Sequence, residues 1–425
     1  MGDFMKIKTK VMPYEQVMAL PTYAHEKPKK QSRMFRGLVH WLAFFDLMRV
    51  RFKYKKIGMD KLDSKQPCLI LMNHSCFTDL EIVARIFYDR SYHIVCTQDA
   101  LIGKKWLMKM LGCIPTTKFV TDATLVRNMV HTVKNLKSSI IMFPEAGYSF
   151  DGTATVLPKS LGKCVKLLKI PVVMVRTYGA FSRNPLYNEL QVRKTNISAE
   201  VEFILSPEEI KAKTADEINR ILREQFSFDG FRWQQENKIS IKEKFRADGL
   251  NRVLYKCPHC GTEGKMQGKG IHLTCTSCGK QYELTEYGYL QATDGESKFT
   301  HVPDWNQWQR ECVREEILDG KYCMDVPVDV YMMIDTKGLY KVGAGNLVHS
   351  SEGFHLTGCD GKLDYRQGVS ASYCLNSDFY WYEIGDVIGI GDKDRQYYCF
   401  PKVEGDIVAK ARLAAEELYK LHQNR

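Results

Sequence analysis

His74 and Asp79 stand five positions apart, directly after the apolar run Cys68-Leu69-Ile70-Leu71-Met72. A carboxylate that holds one imidazole nitrogen leaves the other free to take a proton from a hydroxyl, which is general-base chemistry. Inside a single helix, residues five apart point about 140° away from each other. The pair can meet only if His74 stands in a loop and Asp79 in the first turn of the helix that follows. Thr78 and Glu81 have the spacing of a capping box, which starts a helix at Asp79 or nearby. Taken alone, the pair also describes a surface-loop histidine beside a capping aspartate. Cys76, in the same stretch, reads as a small filler rather than a nucleophile. A second stretch, Phe143-Pro144-Glu145-Ala146-Gly147, also ends a buried run.

The elements that must position these residues follow from periodicity. Cys68–Met72, His93–Thr97, Ser139–Phe143 and Pro171–Val175 are short apolar runs of the kind that form buried strands. Leu125, Val126, Met129, Val130, Val133 and Leu136 recur at helical spacing behind Asp122, a suitable cap, and Leu161–Leu168 suits another helix. Ser206-Pro207-Glu208-Glu209 opens a further helix that ends near Phe226, with proline in its first turn. Strands alternating with helices predict an α/β layer with a mainly parallel sheet. Both chemical stretches fall at the C-terminal ends of strands, where open α/β sheets gather ligands.

Together these stretches resemble the glycerolipid acyltransferase family, which includes the 1-acylglycerol-3-phosphate acyltransferases. Asn73-His74-Ser75-Cys76-Phe77-Thr78-Asp79 matches its first motif, N-H-x-x-x-x-D. Gly112-Cys113-Ile114-Pro115-Thr116-Thr117-Lys118 is similar to the second, with Lys118 in place of the common arginine. Phe143-Pro144-Glu145-Ala146-Gly147 is similar to the third, F-P-E-G and a small residue, and Ile170-Pro171-Val172-Val173-Met174-Val175 matches the fourth. The resemblance implies an acyltransferase with His74 as general base, Asp79 as its orienting partner and Glu145 as the third catalytic residue. It assigns substrate binding to Asn73, Lys118, Gly147 and Arg176. The acceptor it implies is a lysophospholipid, by default 1-acylglycerol-3-phosphate, converted to phosphatidic acid. The donor is an acyl group on coenzyme A or acyl carrier protein. Another lysolipid or an alcohol stays open as acceptor, because Tyr148 stands where the third motif usually carries arginine. Arg176 or Lys159 is then the expected substitute for that charge.

Cys257-Pro258-His259-Cys260-Gly261 and Cys275-Thr276-Ser277-Cys278-Gly279 form two knuckles. Paired Cys-x-x-Cys units at this separation supply four thiolates to one tetrahedral zinc with no open position, so a structural zinc ribbon is expected. Such ribbons also bind nucleic acid. Tyr282, Tyr287 and Tyr289 more simply build a small core, so nucleic acid is not the expected partner, and an inert lipid- or nucleic-acid-binding protein is the rival reading. Val326 to Pro401 is rich in Tyr, Val, Ile and Gly, with turns at Asp360-Gly361 and Gly391-Asp392. It predicts a small β-rich domain of pleckstrin-homology-like type, closed by a C-terminal helix from Gly405 to His422.

The 425 residues, 44% hydrophobic and 26% charged, belong to a globular chain of several domains. The expected boundaries are 1–59, a basic and apolar membrane-surface segment; 60–250, the acyltransferase domain; 251–292, the zinc ribbon; and 293–425, the β-rich domain. A net charge of +11 favours anionic partners. In the first segment, Leu38 to Phe45 is apolar and aromatic between dense basic clusters, a composition that suits a bilayer interface. Many of the fourteen cysteines lie in apolar runs or knuckles and no secretory leader is visible, which predicts a reducing cytoplasm and a peripheral seat on the inner face of the cell membrane.

Overall fold

The computed structural model describes residues 6–76, 78–120 and 122–423. The extreme ends of the first and last predicted regions, and Phe77 of the first motif, lie outside the described residues. The chain packs as two units: residues 24–184 with 192–230, and the residues up to 23 with 185–191 and 231 onward.

In the first unit one sheet is built from β1 (Lys53–Ile57), β2 (Leu69–Met72), β3 (Tyr92–Thr97), β4 (Cys113–Thr116), β5 (Ser139–Met142), β6 (Val172–Tyr178) and β7 (Ser198–Leu205). Their order is β1-β7-β6-β2-β5-β3-β4. From β6 through β4 all neighbours are parallel, while β7 runs antiparallel to β6 and β1 runs parallel to β7. The sheet is therefore mainly parallel, with a reversed pair at one edge.

The four side chains of β2 are wholly buried. Leu69 and Leu71 pack with Met129 and Val133 of α3 (Ala123–Lys134), Val165 and Leu168 of α4 (Leu161–Leu168), and Leu222 and Phe226 of α6 (Ala215–Phe226). Ile70 and Met72 pack on the other face with Ala43 and Leu47 of α1 (Arg33–Arg49) and with Ile82, Val83 and Ile86 of α2 (Thr78–Ile86). A strand covered on both faces needs an unbroken apolar run, which is what this stretch supplies.

Asp122 caps α3 as expected, its side chain accepting the Thr124 amide at 2.7 Å. Two local expectations fail. Thr78 is already helical and so is not the cap of α2. The single helix expected from Ser206 to Phe226 is two: α5 (Pro207–Ala212), capped by Ser206 and Glu209, and α6, capped afresh by Thr214 and Glu217. The second capping box interrupts the helix, because extended backbone at Lys213 and Thr214 satisfies the new N-terminus.

Helix α1 starts at Ser32, whose hydroxyl accepts the Phe35 amide. It buries Ala43 and Leu47 and leaves Met34 (73% exposed), Leu38, Trp41 (57%), Phe45 and Met48 on its outer face at helical spacing. Among the described residues no helix is long and apolar enough to cross a membrane.

The second unit opens its antiparallel structure with four consecutive strands, Met266–Lys269, His272–Cys275, Gln281–Leu284 and Leu290–Ala292. A helix follows (Val302–Leu318), then a four-strand meander from Met324 to Gln367 and a three-strand meander from Asn376 to Pro401. Strand Met324–Met333 pairs with Leu339–Ser350 on one side and Gln396–Pro401 on the other, joining the meanders. The helix Val408–Gln423 closes the chain, with Arg310 reaching its buried Glu416 at 2.7 Å and Glu417 at 3.1 Å.

Candidate active site

The chain leaves β2 at Met72 and enters α2 at Thr78, and the intervening loop is held from several directions. Asn73 is buried; its Oδ1 accepts the Thr177 amide of β6 at 2.9 Å and its Nδ2 donates to Ser75 Oγ at 3.1 Å. This residue, expected to touch substrate, clasps the loop to the neighbouring strand.

His74 Nδ1 lies 3.0 Å from Asp79 Oδ2. The same carboxylate oxygen accepts the backbone amides of Ser75 at 2.7 Å and Cys76 at 3.1 Å. The loop thus folds back onto the first turn of α2. A carboxylate that accepts at Nδ1 fixes the proton there and leaves Nε2 with its lone pair, the arrangement of a general base. Asp79 is fully buried, whereas the His74 side chain keeps 21% of its surface. The imidazole is open to a reactant while its carboxylate partner is shielded.

Two tilted rings, Phe143 and Tyr148, lie against the imidazole, each with its centroid 4.3 Å away. Glu145 is buried, accepting the His74 amide on Oε2 at 2.9 Å and the Thr155 amide on Oε1 at 2.8 Å. Its contact with His74 is through the backbone, so it positions the loop. Ser149 N–H adds a further tie to the His74 carbonyl at 3.2 Å. Cys76 is fully buried, and burial followed by the charge of Asp79 pushes its thiol far up, which leaves it a filler.

The substrate-binding candidates separate. Arg176, on β6, is ion-paired with Glu202 and lies 3.8 Å from Glu200, both on β7. That gives the guanidinium anionic partners of its own. Lys118 follows β4 and is half-buried, and Lys159 is exposed. Gly112, which opens the second motif, has φ +80°, and a Cβ there would meet Gln31 and the Tyr92 carbonyl at 3.2 Å. Only glycine suits that position. Gly147 has room for a Cβ, with nothing within 4 Å. The left-handed residue of the third motif is Ala146, at φ +56°.

The Tyr148 ring contact, the Asn73–Thr177 clasp and the double engagement of Glu145 are not legible in the sequence. Only the departure of Tyr148 from the third motif hinted at any of them.

In the second unit, Cys257, Cys260, Cys275 and Cys278 bring their sulfurs within 4.8 Å of one another. Cys257 Sγ is 3.9 Å from Cys278 Sγ, and Cys260 Sγ is 3.7 Å from Cys275 Sγ. Tetrahedral zinc with bonds of about 2.3 Å sets its sulfurs about 3.8 Å apart, so the donor set fits that ion. Each knuckle is closed by a left-handed glycine: Gly261 (φ +76°) donates to the Cys257 carbonyl, and Gly279 (φ +77°) to that of Cys275.

Residues 53–177 match the family model described as Acyltransferase. Among solved structures, the chain is similar to the crystal structure of the 1-acyl-sn-glycerophosphate (LPA) acyltransferase PlsC from Thermotoga maritima. The identity is 14% over 45% of this chain and 81% of that one, with a TM-score of 0.35. No curated protein matches the sequence.

Proposed function

From the premise that residues 53–177 form a domain of the acyltransferase family, we propose that this protein moves a fatty acyl group from a thioester carrier to the hydroxyl of a lysolipid. The observation that carries the reading is the 3.0 Å hydrogen bond from His74 Nδ1–H to Asp79 at the end of β2. His74 Nε2 takes the acceptor's hydroxyl proton as its oxygen attacks the thioester carbonyl. The carbonyl π electrons move onto oxygen, then return as the C–S bond breaks. The departing thiolate takes the proton from the imidazolium, which restores the base. No covalent enzyme intermediate is required.

Coenzyme A or acyl carrier protein serves as donor and 1-acylglycerol-3-phosphate as default acceptor, giving phosphatidic acid for phospholipid synthesis. Lys118 then faces the acceptor phosphate as a point charge. A second reading, an acceptor without a phosphomonoester, is favoured by the pairing of Arg176 with Glu200 and Glu202 and by Tyr148 against the base. The exposed apolar stripe of α1, between basic clusters, supports a peripheral seat on an anionic inner leaflet facing the cytoplasm. The four cysteines suit a structural zinc ribbon, closing the shell of the ion and supplying no catalytic position. Two joined meanders and a closing helix support a pleckstrin-homology-like domain.

The test is purified protein with acyl-CoA or acyl carrier protein donors and a panel of 1-acylglycerol-3-phosphate, lysophosphatidylcholine and monoacylglycerol, read by product mass. His74→Ala lowers transfer by about two to four orders of magnitude while the chain stays folded. Near-wild-type turnover in that variant overturns the mechanism.

A further inference from the structure

Acyl transfer also needs a fixed donor where negative charge develops on the carbonyl oxygen. Neither carboxylate beside His74 supplies it: Asp79 is committed to the imidazole, and both Glu145 oxygens accept backbone amides. We propose that the backbone N–H of Gly147 receives the oxyanion of the tetrahedral intermediate. This assignment rests on the acyl-transfer reading.

Three observations converge on that amide. Two amides of the turn are in use: Ala146 N–H, one residue before, donates to the Phe143 carbonyl at 3.0 Å, and Ser149 N–H, two residues on, to the His74 carbonyl at 3.2 Å. Gly147 N–H has no acceptor among the described residues. The cause is local, because Ala146 at φ +56° breaks the hydrogen-bond track of the turn. The two bonds that bind Glu145 to the His74 and Thr155 amides hold the turn in that shape.

The space beside the amide is open. Gly147 is half-buried, and a Cβ built on it would meet no atom within 4 Å. Its own φ does not lie in the left-handed region. Neither backbone strain nor packing within the protein calls for glycine, so the opening is room for a reactant. The segment also lies against the base: the ring of Tyr148, the next residue, is tilted against the imidazole with its centroid 4.3 Å away. An amide with no internal acceptor, beside open space and one residue from a ring that touches the base, is what a preorganised oxyanion donor requires.

The decisive experiment removes that one proton from the full chain. Glycolic acid replaces Gly147 by in vitro translation, turning the amide N–H into an ester oxygen with little change of shape. Gly147→Pro, which also lacks the proton, is the second variant. Wild type and both variants are assayed for kcat, for acyl-donor KM and for binding of an alkyl phosphonate that mimics the tetrahedral intermediate. The ester chain should lose about 10²- to 10³-fold in kcat and comparably in phosphonate affinity, with donor KM unchanged. Unchanged kcat in the ester chain overturns the assignment. Equal loss of donor and phosphonate binding also overturns it, since that is the mark of a structural role. An unaltered chain that transfers no acyl group with any donor sinks the acyl-transfer reading, and this assignment with it.

Discussion

The Glu145 carboxylate receives the backbone amide of His74 at 2.9 Å and that of Thr155 at 2.8 Å. It ties together two loops distant in sequence, one of them at the backbone of the residue that carries the imidazole. Glu145→Gln keeps one acceptor oxygen and turns an NH2 group against a backbone N–H. The expected cost is about 2 kcal/mol of stability, because a buried donor loses its charged acceptor. The urea midpoint should fall, and kcat should fall with it as His74 loosens. An unchanged midpoint would show that the two bonds carry no weight.

Arg176 is the next test, because its guanidinium is held by Glu202 and Glu200 on the neighbouring strand. Arg176→Ala should leave the acceptor's KM unchanged and lower the melting temperature by exposing two glutamates to each other. A several-fold rise in KM confined to phosphate-bearing acceptors would instead place this cation on the substrate.

Metal removal addresses the cysteine cluster. Full-length protein purified without chelator should carry about one zinc per chain, and a strong chelator should lower its melting temperature. Cys275→Ser removes a buried sulfur and should abolish zinc retention. Metal analysis by mass spectrometry reads both outcomes, and zinc-free protein of undiminished stability would count against the ribbon.

A pH effect is expected at the contact of α1 with α2. Burial, then the neighbouring carboxylate of Asp46, pushes Glu81 up from its ordinary 4.5 to about 8. The folded state therefore prefers the protonated acid. No penalty exists below about pH 4.5, it grows as pH rises, and it is complete above about 8. Glu81→Gln abolishes the titration, so its melting temperature should gain on wild type steadily across that window. Parallel curves for the two proteins would refute the shift.

Some of this architecture is legible before any coordinates. Leu69 to Met72, Ser139 to Met142 and Leu161 to Leu168 declare themselves through apolar runs and helical spacing, because burial on one or both faces imposes a period on the chain. The edge strand β1 does not, since all five of its residues are exposed and carry no apolar pattern. The start of α2 is not legible either, because Thr78 and Glu81 have the spacing of a capping box while Thr78 already lies inside the helix.

Residue types and spacing alone determined that His74 and Asp79 can pair, that four cysteines can share one ion, and that an α/β layer carries the first motif. Each is a statement about neighbours in the chain, where a few covalent bonds limit what can meet. Tertiary structure decided the rest. Glu145 serves the backbone of a residue 71 positions away, and Asn73 is clasped to Thr177 across 104 positions. Arg176 meets its glutamates only because β7 turns back against β6. Such partners are chosen by sheet order and by the need to satisfy every buried polar group, and neither is written in local sequence.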